Sequence, residues 1–218
     1  MRMRRKPNLA ARMERCAHLL VNDPELYKGC WLNSFGYSEL RVEIGCGKGG
    51  FLAKAAAAQP DVLFVALEKS ANVLVIALER AVDADLPNIR FVNMFAENLS
   101  SLFAPGEVSR IYINFCDPWP SNRHAKRRLT CQSFLEMYKQ ILNDSGQLYF
   151  KTDSLPLFEF SLREFERSDF SLIEVTRDLH KNGPVGIMTE YEQKFYAQSL
   201  PIFQCVAVLS AERTCSFK

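Results

Sequence analysis

Residues 110–120, "RIYINFCDPWP", carry an apolar run into an acid, two prolines and a tryptophan. Proline fixes φ and removes an N–H donor, so Asp117-Pro118-Trp119-Pro120 reads as a stiff loop that presents carbonyl groups, a carboxylate and an indole ring. A ring so placed suits stacking on a base or on adenine. Immediately beyond it, residues 121–128 hold Arg123, Lys126, Arg127 and Arg128 and no acid. A third stretch, "TEYEQKF" (189–195), brings Glu190 and Glu192. The Watson–Crick edge of guanine offers two neighbouring donors, N1–H and the N2 amine, which one carboxylate can bridge. The same two acids would equally suit an exposed polar loop.

These residues must be positioned by strands. "LRVEI" (40–44), "VLFVAL" (62–67), "IRFVN" (89–93), "RIYINF" (110–115) and "QLYFKT" (147–152) read as buried strands separated by helical patterns. The helices include "FLAKAAAA", "SANVLVIALERAV" with Ser70 as N-cap, a segment through Phe134, Tyr138, Ile141 and Leu142 that stops near Asp144–Gly146, and one through Phe158, Leu162 and Phe165. Ser154 is placed to cap that last helix, with Pro156 in its first turn. Alternation of this kind predicts an α/β, Rossmann-like, mainly parallel sheet with helices on both faces. Two late runs, 170–175 and 201–210, read as closing strands, an antiparallel hairpin at one edge. Residues 1–38 lack periodicity and read as a basic N-terminal extension, with residues 39–218 as a single domain.

Ligands of an open α/β sheet bind beyond the C-terminal ends of its strands. Those ends supply Glu43 with Gly45, Gly47, Gly49 and Gly50, then Glu68, then Asn93 and Glu97, then Asn114 and Asp117, then Lys151 and Asp153. The acids among them are expected to converge on one crevice. Gly45, Gly47 and Gly50 satisfy the dinucleotide pattern G-x-G-x-x-G, and Gly45, Gly47 and Gly49 satisfy the G-x-G-x-G of methyltransferases. Lys48 lacks the spacing of a phosphate-binding P-loop. Glu68 serves either ligand, because a carboxylate there accepts both ribose hydroxyls. Glu43 separates them: it would repel a pyrophosphate but attract the ammonium and sulfonium of S-adenosylmethionine. Charge complementarity therefore favours S-adenosylmethionine over NAD.

The net charge is +2, yet Arg2, Arg4, Arg5 and Lys6 at the N-terminus and the 121–128 segment concentrate the positive charge, leaving the remainder acidic. Two basic clusters on an acidic background point to a polyanion, nucleic acid before membrane. The seven cysteines form no C-x-x-C pair, which predicts reduced thiols in a cytoplasmic protein with no metal site. No apolar run is long enough to span a bilayer, and the N-terminus lacks the apolar core of a secretory signal.

"VEIGCGKGGF", "NFCDPWPSNRHAKRR", "FKTD" and "TEYEQKF", in this order and spacing, resemble the bacterial tRNA (guanine-N7)-methyltransferases, and the similarity extends over nearly the whole chain. The resemblance implies a class I methyltransferase fold and methylation of guanosine 46 in the tRNA variable loop. S-adenosylmethionine would be the methyl donor and S-adenosylhomocysteine the product. It further implies Asp117 as the catalytic residue. On the cofactor side it implies Glu43, Gly45, Gly47, Gly49, Glu68, Phe95, Ala96, Glu97, Asn114 and Asp117. On the substrate side it implies Ser121, Arg123, His124, Arg127, Arg128, Lys151, Asp153, Thr189, Glu190, Tyr191 and Glu192. Two positions depart from the family pattern: Phe95 stands where many relatives have Asp, and Ser121 where relatives often have Lys. The assembly is expected to be a monomer or homodimer. The competing readings are an NAD-dependent oxidoreductase, which the glycine loop would also serve, and a non-catalytic RNA-binding module, which leaves the strand-end acids unexplained.

Overall fold

The computed structural model describes residues 7–210, so the expected RNA contacts of Arg2, Arg4, Arg5 and Lys6 lie outside the described residues. Seven strands form one mixed sheet: β1 (Glu39–Ile44), β2 (Val62–Leu67), β3 (Ile89–Val92), β4 (Val108–Asn114), β5 (Leu142–Thr152), β6 (Phe170–Thr176) and β7 (Phe203–Leu209). Their order is β3-β2-β1-β4-β5-β7-β6. The helices are α1 (Leu9–Arg15), α2 (Trp31–Phe35), α3 (Gly50–Ala58), α4 (Ala71–Asp83), α5 (Leu99–Leu102), α6 (Gln132–Ile141), α7 (Leu155–Arg167) and α8 (Glu190–Ala197). Two compact units divide between Phe103 and Ala104. No helix among the described residues is long and apolar enough to cross a membrane.

In the first unit, β1 pairs parallel with β2 and β2 with β3. Every residue of β2 is buried, as expected for a strand covered on both faces. α4 buries Leu74, Val75, Leu78 and Ala81, a spacing that puts one apolar stripe on the core. Ser70 occupies the N-cap of α4, but its side chain makes no capping bond. Residues 7–38 join this core. The Val21 amide donates to the Phe91 carbonyl of β3 at 2.8 Å, and buried Trp31 donates from Nε1 to the Leu102 carbonyl at 2.9 Å. Tyr27, Phe35 and Phe103 pack around that indole. These contacts use single aromatic anchors rather than a periodic stripe, which is why no pattern announces them.

In the second unit, β4 and β5 run parallel, while β7 runs antiparallel to both β5 and β6. The two late strands therefore pair as expected, but residues 177–202, including α8, intervene, and β6 takes the edge. α6 ends at Ile141, and Leu142 already pairs with Val108, so the helix stops earlier than the apolar spacing suggests. An irregularity in the β4–β5 register between Val108 and Arg110 absorbs the segment from Leu142 to Gln147. α7 starts as its sequence predicts: Ser154 accepts from the Leu157 amide, and Pro156 sits in the first turn.

Candidate active site

The first unit gathers the glycine loop and two acids at its strand ends. Leaving β1, the chain is held to the end of β2, where the amides of Gly45 and Cys46 donate to the Leu67 carbonyl at 2.8 and 3.0 Å. Gly49 then caps α3 with φ 71°, and a Cβ there would lie 2.8 Å from Cβ of Ala77 on α4. Only glycine allows both that backbone and that approach. Glu68, the residue after β2, accepts from the Gly47 amide (3.2 Å) and the Ser70 amide (2.9 Å). Its own amide donates to Val92, and Asn93 donates to its carbonyl, so Glu68 is fixed at both ends.

Glu43 is buried within β1. Burial, reinforced by the charges of Glu43 and then Glu68, pushes the Cys46 thiol well above its usual range. The loop thus sits in an electronegative field. A bare helix N-terminus favours an anion, but these carboxylates oppose one. An ammonium, a sulfonium and a ribose diol suit this donor and acceptor set, so S-adenosylmethionine fits it. Phe95 is 58% exposed just beyond β3, and it opens the short turn Ala96–Asn98 in which Glu97 is also exposed.

The second unit carries the Asp117 loop. Phe115 (φ 54°) and Trp119 (φ 41°) both adopt left-handed backbone on either side of Asp117. Non-glycine residues in this region each cost about 1–3 kcal/mol, and such strain concentrates at functional sites. The loop is held open by specific bonds. The Phe115 amide donates to the Lys151 carbonyl at 2.9 Å. Arg128 donates from Nε and Nη2 to the Trp119 carbonyl at 3.2 and 2.9 Å, while its guanidinium covers Phe160. The Arg127 guanidinium lies over the Trp119 ring, and His124 meets that ring edge-on. Asp117 is exposed, and Asn114 is half-buried at the end of β4.

Asp153 follows β5 and accepts from the Tyr191 hydroxyl at 3.1 Å. Tyr191 in turn packs on Phe115 and Phe195. Burial first, then the Asp153 charge and hydrogen bond, raise the Tyr191 phenol, so it remains a donor. Burial, followed by the charge of Asp117, pushes Cys116 up to about 12, with Asp153 adding a smaller effect. That thiol is protonated at neutral pH and is no nucleophile. Asp117, Asp153 and Tyr191 thus form one neighbourhood.

Three residues expected to contact substrate take a different place. Arg128 is buried and turned inward on the Trp119 carbonyl, whereas Arg123, Lys126 and Arg127 are exposed. Glu192 is 0% exposed, and Lys151 is buried with it in an ion pair of 2.9 Å. Glu192 closes a capping box with Thr189 at the start of α8, so its carboxylate serves the protein rather than a base. Glu190 and Tyr191, one turn position away, are exposed, as is Ser121. The pattern T-x-x-E at 189–192 is itself a helix-start signal, and it marks α8 where a polar loop was the competing reading. His180, which sequence reasoning does not single out, completes the buried cluster at 2.8 Å from Glu192. Among the described residues, no group of three or more His, Cys, Asp or Glu is arranged to hold a metal ion.

Comparison with known proteins fits this geometry. A family model described as "Putative methyltransferase" matches residues 38–205. The tRNA (guanine-N(7)-)-methyltransferase of Geobacillus kaustophilus is 43% identical over 98% of this chain and 100% of its own. The proteins of the same name from Bacillus velezensis and Lactococcus lactis are 42% and 40% identical, over 94% and 95% of this chain and 95% and 97% of theirs. Among solved structures, the 16S rRNA methyltransferase KamB superposes with a TM-score of 0.61 at 17% identity, covering 80% of this chain and 89% of its own. An Aquifex aeolicus SAM-dependent methyltransferase gives 0.56 at 14% identity, covering 94% and 100%. At that identity the two structures establish the fold alone, which is that of the class I methyltransferases. The chain belongs to the tRNA (guanine-N7)-methyltransferase family.

Proposed function

We propose that this protein methylates N7 of guanosine 46 in the variable loop of tRNA, in the cytoplasm, with S-adenosylmethionine as donor. The observation that carries this reading is the identity of 40–43% over at least 94% of the chain to proteins named tRNA (guanine-N(7)-)-methyltransferase; the donor and the position within tRNA are this proposal's own. Glu43, the Gly45–Gly49 loop, Glu68 and the Phe95–Glu97 turn would hold the donor. Asp117, Asp153, Glu190 and Tyr191 would receive the base, with Ser121, Arg123, His124 and Arg127 alongside the RNA backbone.

Guanine N7 is an acceptor with a free lone pair in the neutral base. It needs no general base to strip a proton before it reacts. When bound, S-adenosylmethionine supplies an electrophilic methyl, so the N7 lone pair forms the new N–C bond as the S–C bond breaks and S-adenosylhomocysteine leaves. The purine becomes cationic in that step. Asp117 orients guanine and offsets the developing charge, and the strained loop holds its carboxylate in place before the base arrives. Tyr191 keeps Asp153 oriented by its hydroxyl. The exposed cations of 123–127 engage phosphates and make affinity salt-dependent.

Incubation of the protein with S-adenosylmethionine and unmodified tRNA, followed by nucleoside mass analysis, tests the proposal. It predicts 7-methylguanosine; a competent tRNA that gains none would contradict it. Thermal shift with S-adenosylhomocysteine and with NAD provides an independent check, with stabilisation expected from the first only.

A further inference from the structure

We infer that His180 is a positioning residue for the substrate-side acids, acting through Glu192. The inference rests on the proposed function for its meaning, but its geometry stands apart from it. His180 Nδ1 accepts the Val185 amide hydrogen at 3.1 Å. A ring nitrogen that accepts carries no proton, so in the neutral ring the hydrogen sits on Nε2 and is donated to Glu192 Oε1 at 2.8 Å. The same Oε1 accepts from Lys151 Nζ at 2.9 Å, and Oε2 accepts from the Thr189 amide at 3.1 Å. All three side chains, His180, Lys151 and Glu192, are buried.

A carboxylate removed from water needs its lone pairs satisfied. Here the donors come from three places: Lys151 on β5, the N-cap of α8, and His180 in the segment between β6 and α8. The carboxylate is therefore a knot that fastens the start of α8 to the end of β5. Tyr191 immediately precedes Glu192 on α8 and bonds Asp153, which lies two residues beyond Lys151. The Tyr196 ring packs edge-on against His180, closing the knot from the far end of the helix. Loss of the His180 donor leaves Lys151 and the cap in place but removes the tie to the 177–188 segment. The first turn of α8, from which Tyr191 bonds Asp153, would then be less firmly held.

Three variants separate this role from general support. His180→Gln places an amide N–H where Nε2 stood. His180→Asn keeps an acceptor near Nδ1 for Val185 but cannot donate to Glu192. His180→Leu keeps neither. We expect the Leu and Asn variants to lose about tenfold in kcat/KM for tRNA, the size of one lost buried hydrogen bond to a charged group, while the Gln variant keeps most of it. Affinity for S-adenosylhomocysteine, measured without tRNA, should not change. Hydrogen exchange over residues 190–197 should accelerate in the Leu and Asn variants, with β4 amides unaffected. Wild-type kcat/KM and wild-type exchange in His180→Leu would overturn the inference, as would an equal loss of S-adenosylhomocysteine affinity. If the wild-type protein formed no 7-methylguanosine, the proposed function would fall, while the exchange comparison would still decide whether His180 anchors α8.

Discussion

At the scale of single residues, direction matters as much as type. Asp117 was legible because its setting is dense with signals: a strand before it, prolines around it and cations after it. Its left-handed neighbours, Phe115 and Trp119, were not legible, because neither side chain favours that backbone. Asp117→Asn keeps the shape of the loop and removes the charge. We expect a fall of about 10²–10³ in kcat, as for loss of one charge-stabilising group, with S-adenosylhomocysteine binding retained; full activity would remove Asp117 from the chemistry. Arg127 and Arg128 are adjacent and chemically identical, so sequence treats them alike. The structure separates them, one exposed over Trp119 and one buried on its carbonyl. Arg127→Ala should weaken tRNA binding and lower its salt slope by about one. Arg128→Ala should leave that slope unchanged and lower kcat, and a reduced slope for Arg128→Ala would show that it contacts phosphate after all.

At the scale of elements, periodicity served the sheet well. Seven apolar runs became seven strands, and the Ser154 cap and glycine turn lie where turn chemistry requires. The same reasoning misses elements that a few large side chains hold in place, as Trp31 does for residues 7–38. It also cannot foresee a glycine whose reason is a second helix. Gly49 faces Ala77, a contact set by how α3 and α4 pack. Gly49→Ala should therefore cost about 1–3 kcal/mol from its backbone alone, with further loss from crowding Ala77. Thermal melts would show the destabilisation, and titration with S-adenosylhomocysteine would show weakened binding because the loop must shift. An unchanged melting temperature would mean that α3 moves away freely.

At the scale of the whole molecule, the class I fold supplies a frame on which many methyl acceptors are served, so the fold alone does not select tRNA. On the proposed function, that selection falls to residues grafted on the frame: the Asp117 loop, its exposed cations and α8. The buried thiols report on the integrity of that frame. Burial pushes Cys205, within β7, up to about 12. Because the folded value is raised, this group favours the folded state fully below the ordinary thiol range, and that contribution is lost as pH climbs from there towards about 12. At pH 8, alkylation of Cys205 should proceed only through unfolding; rapid labelling of Cys205 itself in the native protein, located by peptide mass, would contradict its burial. The most direct test of the account compares two unmodified tRNA transcripts that differ only at position 46, guanosine in one and adenosine in the other. Methylation at guanosine 46 predicts one 7-methylguanosine per guanosine-46 transcript and none in its partner; equal methylation of both, or of neither, would rule it out.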